Sequence, residues 1–371
     1  MVKFFQKNLL KIFLLSVLIS LVTFVTIYFS NFIFQQKVQV NPQDILSNEV
    51  ALKSFLKNHG PRETISTIAQ LSPQYGVDCH QLSHKTGRFA AEIFDIEKAF
   101  REGSGECHSG YYHGTTEGYF AKFGTTNLSE NLSKLCTENL NTFFRHQCFH
   151  GVGHGLMTWT SYEIFEALKN CDLLPNAFDQ ASCGTGAFME NFVGAFPQGS
   201  QNPSGHTSKY LSDDPHYPCN IVPDKYKYQC YFLQTSRMVQ IFGQDFEKIA
   251  KTCLEAPADY QSACFQSIGR DVGGATRGNP QASINKCRAA PKGSNRADCL
   301  SGAVQDYFWT PDGAEPAVVF CRVLEDFSEK TVCYNTIIGR ARDVLAKEDW
   351  GKFCSQLEVS FQGNCRTILT K

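Results

Sequence analysis

The placement of sixteen cysteines constrains this chain more than any other feature. None precedes Cys79, and from Cys136 onward they fall into pairs 11 or 12 residues apart: Cys136 with Cys148, Cys171 with Cys183, Cys219 with Cys230, Cys253 with Cys264, Cys287 with Cys299, Cys321 with Cys333, and Cys354 with Cys365. The second members recur at intervals of 35, 47, 34, 35, 34 and 32 residues. A period near 34 marks a solenoid of helical hairpins, in which each hairpin buries its apolar face only against its neighbours. The expected fold class is therefore all-α, an α-solenoid of hairpins stapled by disulfides.

Each unit reads alike. An amphipathic run such as DFEKIAKTC ends at the first cysteine, a polar connection follows, and a second run such as CFQSIGRDVGG starts at the second cysteine. Asp78, Ser182, Asp298 and Asn364 directly precede a cysteine, where they are expected to cap the following helix. A disulfide closing a loop of this length contributes about 3 kcal/mol in the chain-entropy model, which suits thin repeat cores. Zinc sites use closer cysteine pairs than these. Three residues after the second cysteine the side chain is small in Gly110, Gly151, Gly186, Ser267, Gly302 and Thr336, with Leu82, Leu233 and Ile368 as exceptions. Glycine costs a helix about 1 kcal/mol against alanine, so its recurrence predicts close helix contact. Cys79 and Cys107 remain and are read as an eighth disulfide, with a redox-active dithiol as the alternative.

This pattern resembles disulfide-stapled helical-hairpin repeats of the Sel1-like and tetratricopeptide type, over residues 136 to 371 and, with the first pair, 79 to 371. The alanine, glycine and aromatic signature of Sel1 repeats is not reproduced. The resemblance implies a superhelix with a concave binding surface and implies no activity.

The cysteines also speak to compartment, since an even number of them is at home where disulfides persist. From Ile12 to Gln36 no residue is charged, and Lys3, Lys7 and Lys11 come before. Such a run is long enough to cross a bilayer, and the flanking lysines keep the N-terminus cytoplasmic. The domains read as a cytoplasmic stub (1–11), a transmembrane signal-anchor helix (12–34), a tether (35–48), an N-terminal helical cap (49–78) broken at Gly60 and Pro61, and a Cys-rich domain (79–371) facing the periplasm or cell surface. A cleaved secretory signal is the alternative to the anchor. Net charge is −1 with scattered basic residues, which argues against nucleic acid as a partner.

Seven of the ten histidines lie between positions 80 and 154. His80 with His84 and His150 with His154 have the spacing that puts both rings on one helix face, and His113 with Glu117 repeats it. His80, His84, His108, His113, Glu117, His150 and His154 form the candidate ligand set for zinc, copper or iron, because neutral imidazole suits all three and helical bundles build such sites from paired ligands. Glu190 is a further candidate carboxylate. Beyond this His-rich part (79–158), polar residues recur at the same repeat position: Glu190, Arg237, Arg270, Asp271, Asp306 and Arg340 are expected in the groove. The long interval holds an insertion at 194–218, rich in Gly, Pro, Ser and Asn, and positioned to cover the site. Two functions follow: extracytoplasmic binding of a transition metal, extending to metal-dependent catalysis, or a non-catalytic scaffold that takes a peptide or protein in its concave face. A thiol–disulfide enzyme working through Cys79 and Cys107 is the third.

Overall fold

The computed structural model describes residues 41–137, 142–198, 206–276 and 278–370. The apolar run at 12–34, the stub before it and the start of the tether lie outside them. Among the described residues no helix is long and apolar enough to cross a membrane. The chain divides into two compact units, 1–54 and 55–371. In the first, residues 42–46 form a single 3-10 turn capped by Asn41, and Ile45 is buried. Helix α1 (Glu49–Tyr75) begins there and kinks at Gly60, whose φ of 80° is open to glycine and strained for other residues.

The second unit is a series of helical hairpins. Its long helices are α2 (Cys79–Ile93), α4 (Gly110–Phe123), α6 (Thr142–Trp159), α8 (Ala177–Met189), α9 (Asp224–Phe242), α11 (Ala258–Ala275), α13 (Ser294–Tyr307), α15 (Phe327–Val344) and α17 (Val359–Leu369). Shorter ones intervene: α3 (Ile96–Arg101), α5 (Leu128–Thr137), α7 (Ile164–Cys171), α10 (Phe246–Glu255), α12 (Pro280–Cys287), α14 (Ala314–Arg322) and α16 (Trp350–Gln356). Between α8 and α9 the insertion replaces the short helix. Its two strands, β1 (Phe196–Pro197) and β2 (Thr207–Ser208), pair in parallel.

All sixteen cysteines are disulfide-bonded, seven pairs across the hairpins and Cys79 to Cys107 before α4, with Cα atoms 5.4–5.7 Å apart. Eight disulfides belong to an oxidising, extracytoplasmic compartment. From Cys148 onward the second cysteine lies about two turns inside its helix, because the polar connection forms the first turns instead of a loop. Asp78 does cap α2, accepting from the Gln81 backbone N–H. Ser182, Asp298 and Asn364 sit within helices. The caps of α8, α10, α12 and α15 are Asn176, Asp245, Asn279 and Asp326, which come earlier in each unit.

Consecutive long helices pack against each other, and three pairs approach so closely that only glycine fits. A methyl group on Gly114 of α4 would lie 1.8 Å from the His84 carbonyl oxygen of α2, and one on Gly87 2.1 Å from that of Tyr111. The same reciprocal contact joins Gly153 of α6 to Cys183 (2.0 Å) and Gly186 of α8 to His150 (1.8 Å). It recurs between Gly269 of α11 and Cys299 (2.0 Å), and between Gly302 of α13 and Gln266 (2.1 Å). Ser267 takes the small-residue position on α11, where it is fully buried and bonded to Thr235 on α9 at 2.5 Å.

The series closes on itself. Helix α15 returns to α6, where the Arg340 guanidinium lies 4.5 Å from the Phe143 ring centroid and 5.2 Å from that of Trp309. Trp309 meets Phe143 edge-on at 5.4 Å, and the Arg340 Nε donates to the Phe308 carbonyl at 3.0 Å. The long helices from α2 to α15 thereby line a partly open cavity of about 900 Å³.

Candidate metal centre

Glycine packing fixes where the histidines stand. His84 and His150 are the residues whose carbonyls receive Gly114 and Gly186, and Gly110 backs against the His80 carbonyl in the same way. Helix α2 therefore presents His80 and His84, α4 presents His113, and α6 presents His150 and His154 to a shared cluster. Ligand nitrogens of His80, His84 and His113 lie within 4.8 Å of one another, and so do those of His113, His150 and His154. His113 is common to both groups. Its ring meets that of His84 edge-on, centroids 4.8 Å apart, and stacks on that of His154 at 3.9 Å and 16°, so the two stacked rings must turn before both lone pairs reach one ion.

The partners of the Nδ1 atoms decide which nitrogens carry hydrogen. His80 Nδ1 is 3.0 Å from the Cys107 carbonyl, which only accepts. His84 Nδ1 is 3.1 Å from Glu117 and His154 Nδ1 is 2.7 Å from Glu190. Both carboxylates are ionised: burial works against that, but His84 and Arg88 hold Glu117 below its usual range, and His154 and Tyr162 hold Glu190 at about 2. His150 Nδ1 contacts the Thr185 hydroxyl at 2.9 Å, and that hydroxyl already donates to the Ser182 carbonyl. His146 Nδ1 contacts the Ser182 hydroxyl, which donates to Phe178. In all five Nδ1 faces an acceptor, so a singly protonated ring carries its hydrogen there and turns a bare Nε2 lone pair away from that partner.

Those lone pairs meet. His150 Nε2 and His154 Nε2 are 3.1 Å apart, and two singly protonated rings place no hydrogen between them. His84 Nε2 is 2.9 Å from His113 Nδ1, which can donate to it, and this leaves the His113 Nε2 buried without a partner. Burial first, then the neighbouring rings, pushes His113 and His150 well below the usual histidine range and takes His80 to about 4. Burial and the Arg340 charge take His146 to about 4. Two nitrogens that bind one ion at about 2.0–2.1 Å stand roughly 3 to 3.4 Å apart, which the 3.1 Å between His150 and His154 Nε2 matches.

The acids stand behind the histidines, not among them. Glu117 bridges His84 to Arg88 (2.6 Å), and Glu190 bridges His154 to the Tyr162 hydroxyl (2.7 Å). This is the carboxylate–histidine pattern that orients metal ligands. Sequence spacing placed Glu117 in the ligand set, but its helix offset points the carboxylate at the far side of the imidazole. Helix α8 ends in a π-turn, Glu190–Gly194, and Gly194 leaves the space that the Glu190 carboxylate occupies. His108 also departs from the sequence reading. Positive φ at Cys107, His108 and Ser109 turns its ring to Trp309 at 5.4 Å, outside both groups of converging nitrogens. His146, one turn from His150 on α6, lines the cavity instead.

The remaining groove candidates divide. Arg270, Asp271, Asp306 and Arg340 line the cavity together with His80, His113 and His150. Arg237 points elsewhere, donating to the Ser212 carbonyl and to Asp213, and so ties down the second half of the insertion. Two earlier residues are tied down too: His206 contacts the Tyr162 hydroxyl at 2.5 Å, and Tyr210 donates to Glu163 at 2.7 Å. Residues 199–205 of the insertion lie outside the described ones. In comparisons with known proteins, no family model, no curated protein and no solved structure matches this chain.

Proposed function

We propose that this is an extracytoplasmic transition-metal protein, anchored by the apolar run at 12–34, whose metal faces a small-molecule site in the cavity. The observation that supports it is the convergence of imidazole nitrogens: with both Nδ1 atoms turned outward to Thr185 and Glu190, the Nε2 atoms of His150 and His154 stand 3.1 Å apart. Neutral rings repel in that arrangement, and a shared cation turns the repulsion into two bonds. Imidazole donors suit zinc, copper and iron. A cavity of about 900 Å³ is within the range of small-molecule sites, so the ligand we propose is a small molecule. Reaction at a metal-activated water is the chemistry such a site offers.

The test is metal content by mass spectrometry on the full chain, produced through an oxidising compartment without a histidine tag, beside a His113→Ala, His150→Ala, His154→Ala variant. Near-stoichiometric metal in the native chain and its loss from a folded variant supports the reading. Absence of metal from both overturns it in favour of a stapled scaffold.

A further inference from the structure

We infer that the cluster holds two metal ions bridged by His113, resting on the metal reading above. Five converging histidines exceed what one tetrahedral ion takes, and they fall into two groups of three that share only His113. The two nitrogens of one imidazole diverge, so they cannot serve a single ion. His113 has both in play: Nδ1 faces His84 at 2.9 Å, while Nε2 is buried and unpartnered among the remaining rings. Three nitrogens per ion leave each ion open to a further ligand, the arrangement of catalytic sites.

The surroundings are built twice as well. On α2 and α4 the unit is His80, His84 and, behind His84, Glu117; on α6 and α8 it is His150, His154 and, behind His154, Glu190. In each, the second histidine of an i, i+4 pair is oriented by a carboxylate from the next long helix. One carboxylate thus stands behind each position, which spreads the charge needed to hold two divalent ions in a buried site. The bridge also balances chemically. An ion bound by His150, His154 and the His113 Nε2 uses an existing lone pair. When a second ion binds His80, His84 and the His113 Nδ1, the Nδ1–H bond breaks, its electron pair forms the metal bond, and the proton leaves to solvent.

The experiment strips the full chain of metal, loads it with Zn(II) or Cu(II), and counts ions by mass spectrometry. The native chain is expected to hold two per chain. A His80→Gln, His84→Gln variant and a His150→Gln, His154→Gln variant are each expected to keep one. With copper, spin coupling through the bridge is expected to depress the paramagnetic resonance signal of the native chain, and either pair variant is expected to restore that of one isolated ion. One ion in the native chain, abolished by both pair variants, overturns the bridge and leaves a single shared site. Two uncoupled ions that persist in His113→Gln overturn it as well. No ion in the native chain fails the metal reading itself.

Discussion

The helices of the histidine region (α2, α4 and α6, with α8 packed on them) and those that follow (α9, α11, α13 and α15) share one backbone plan with opposite hydrogen-bond balance. Gly153 with Gly186 and Gly269 with Gly302 bring their helices equally close, and each hairpin carries its disulfide. In the later set Asp271 accepts from Thr235 at 2.7 Å, from Ser236 at 2.8 Å and from Arg270 at 2.8 Å, so acceptors meet donors. In the earlier set the acceptors face one another. Buried polar groups are paired in folded proteins, and a cluster of mutually facing lone pairs therefore points to a cation as partner. The framework is common to both regions, and the chemistry resides in side chains grafted onto one of them.

Matched substitutions in the two regions break or sharpen this contrast. The largest effect is expected at the glycine contacts. Gly186→Ala and Gly302→Ala each place a methyl group about 2 Å from a backbone oxygen, and each should destabilise the fold by about 3 kcal/mol or more, measured by denaturant unfolding. Only Gly186→Ala should also lower metal occupancy; equal losses from both would mean that the metal reports overall stability alone. Removing Cys171 with Cys183, or Cys287 with Cys299, as alanine pairs should cost about 3 kcal/mol each. Again only the first should loosen metal, because α8 carries Thr185 and Glu190.

Smaller effects separate orientation from scaffold. Glu190→Gln should weaken metal binding roughly 10- to 100-fold by competition titration, whereas Asp271→Asn should leave it unchanged. Equal affinity in Glu190→Gln would remove the orienting role assigned to that carboxylate. The mildest change is Arg340→Leu, which gives up contacts worth about 1 kcal/mol at the junction of α15 and α6. It should lower the melting temperature slightly at unchanged metal content.

The hairpin period and the cysteine pairing were legible in the sequence because a disulfide fixes two positions and repetition exposes the unit. The i, i+4 histidine pairs were legible because helical geometry alone puts them on one face. The helix starts were not, since connections such as LEAPADYQSA look polar and loop-like yet hold the first turns of α11. Gly153 and Gly269, each five residues after its cysteine, and Gly87, eight after Cys79, were missed because what requires them is a carbonyl on the neighbouring helix. His108 was misplaced by three consecutive positive φ values that no local spacing reveals. The roles of Glu117 and Glu190 depend on which imidazole nitrogen each acid reaches, and that is set by distances between helices.

The seam formed by Arg340, Phe143 and Trp309 has a consequence for how such a chain can change. An open solenoid can gain or lose a hairpin at little cost, because each unit touches only its neighbours. Here the eighth long helix must meet the third for the circuit to close. One extra hairpin would carry the guanidinium past its aromatic partners, and one fewer would leave it short. The number of units between α6 and α15 is therefore fixed by closure, and variation is confined to loops such as the insertion before α9.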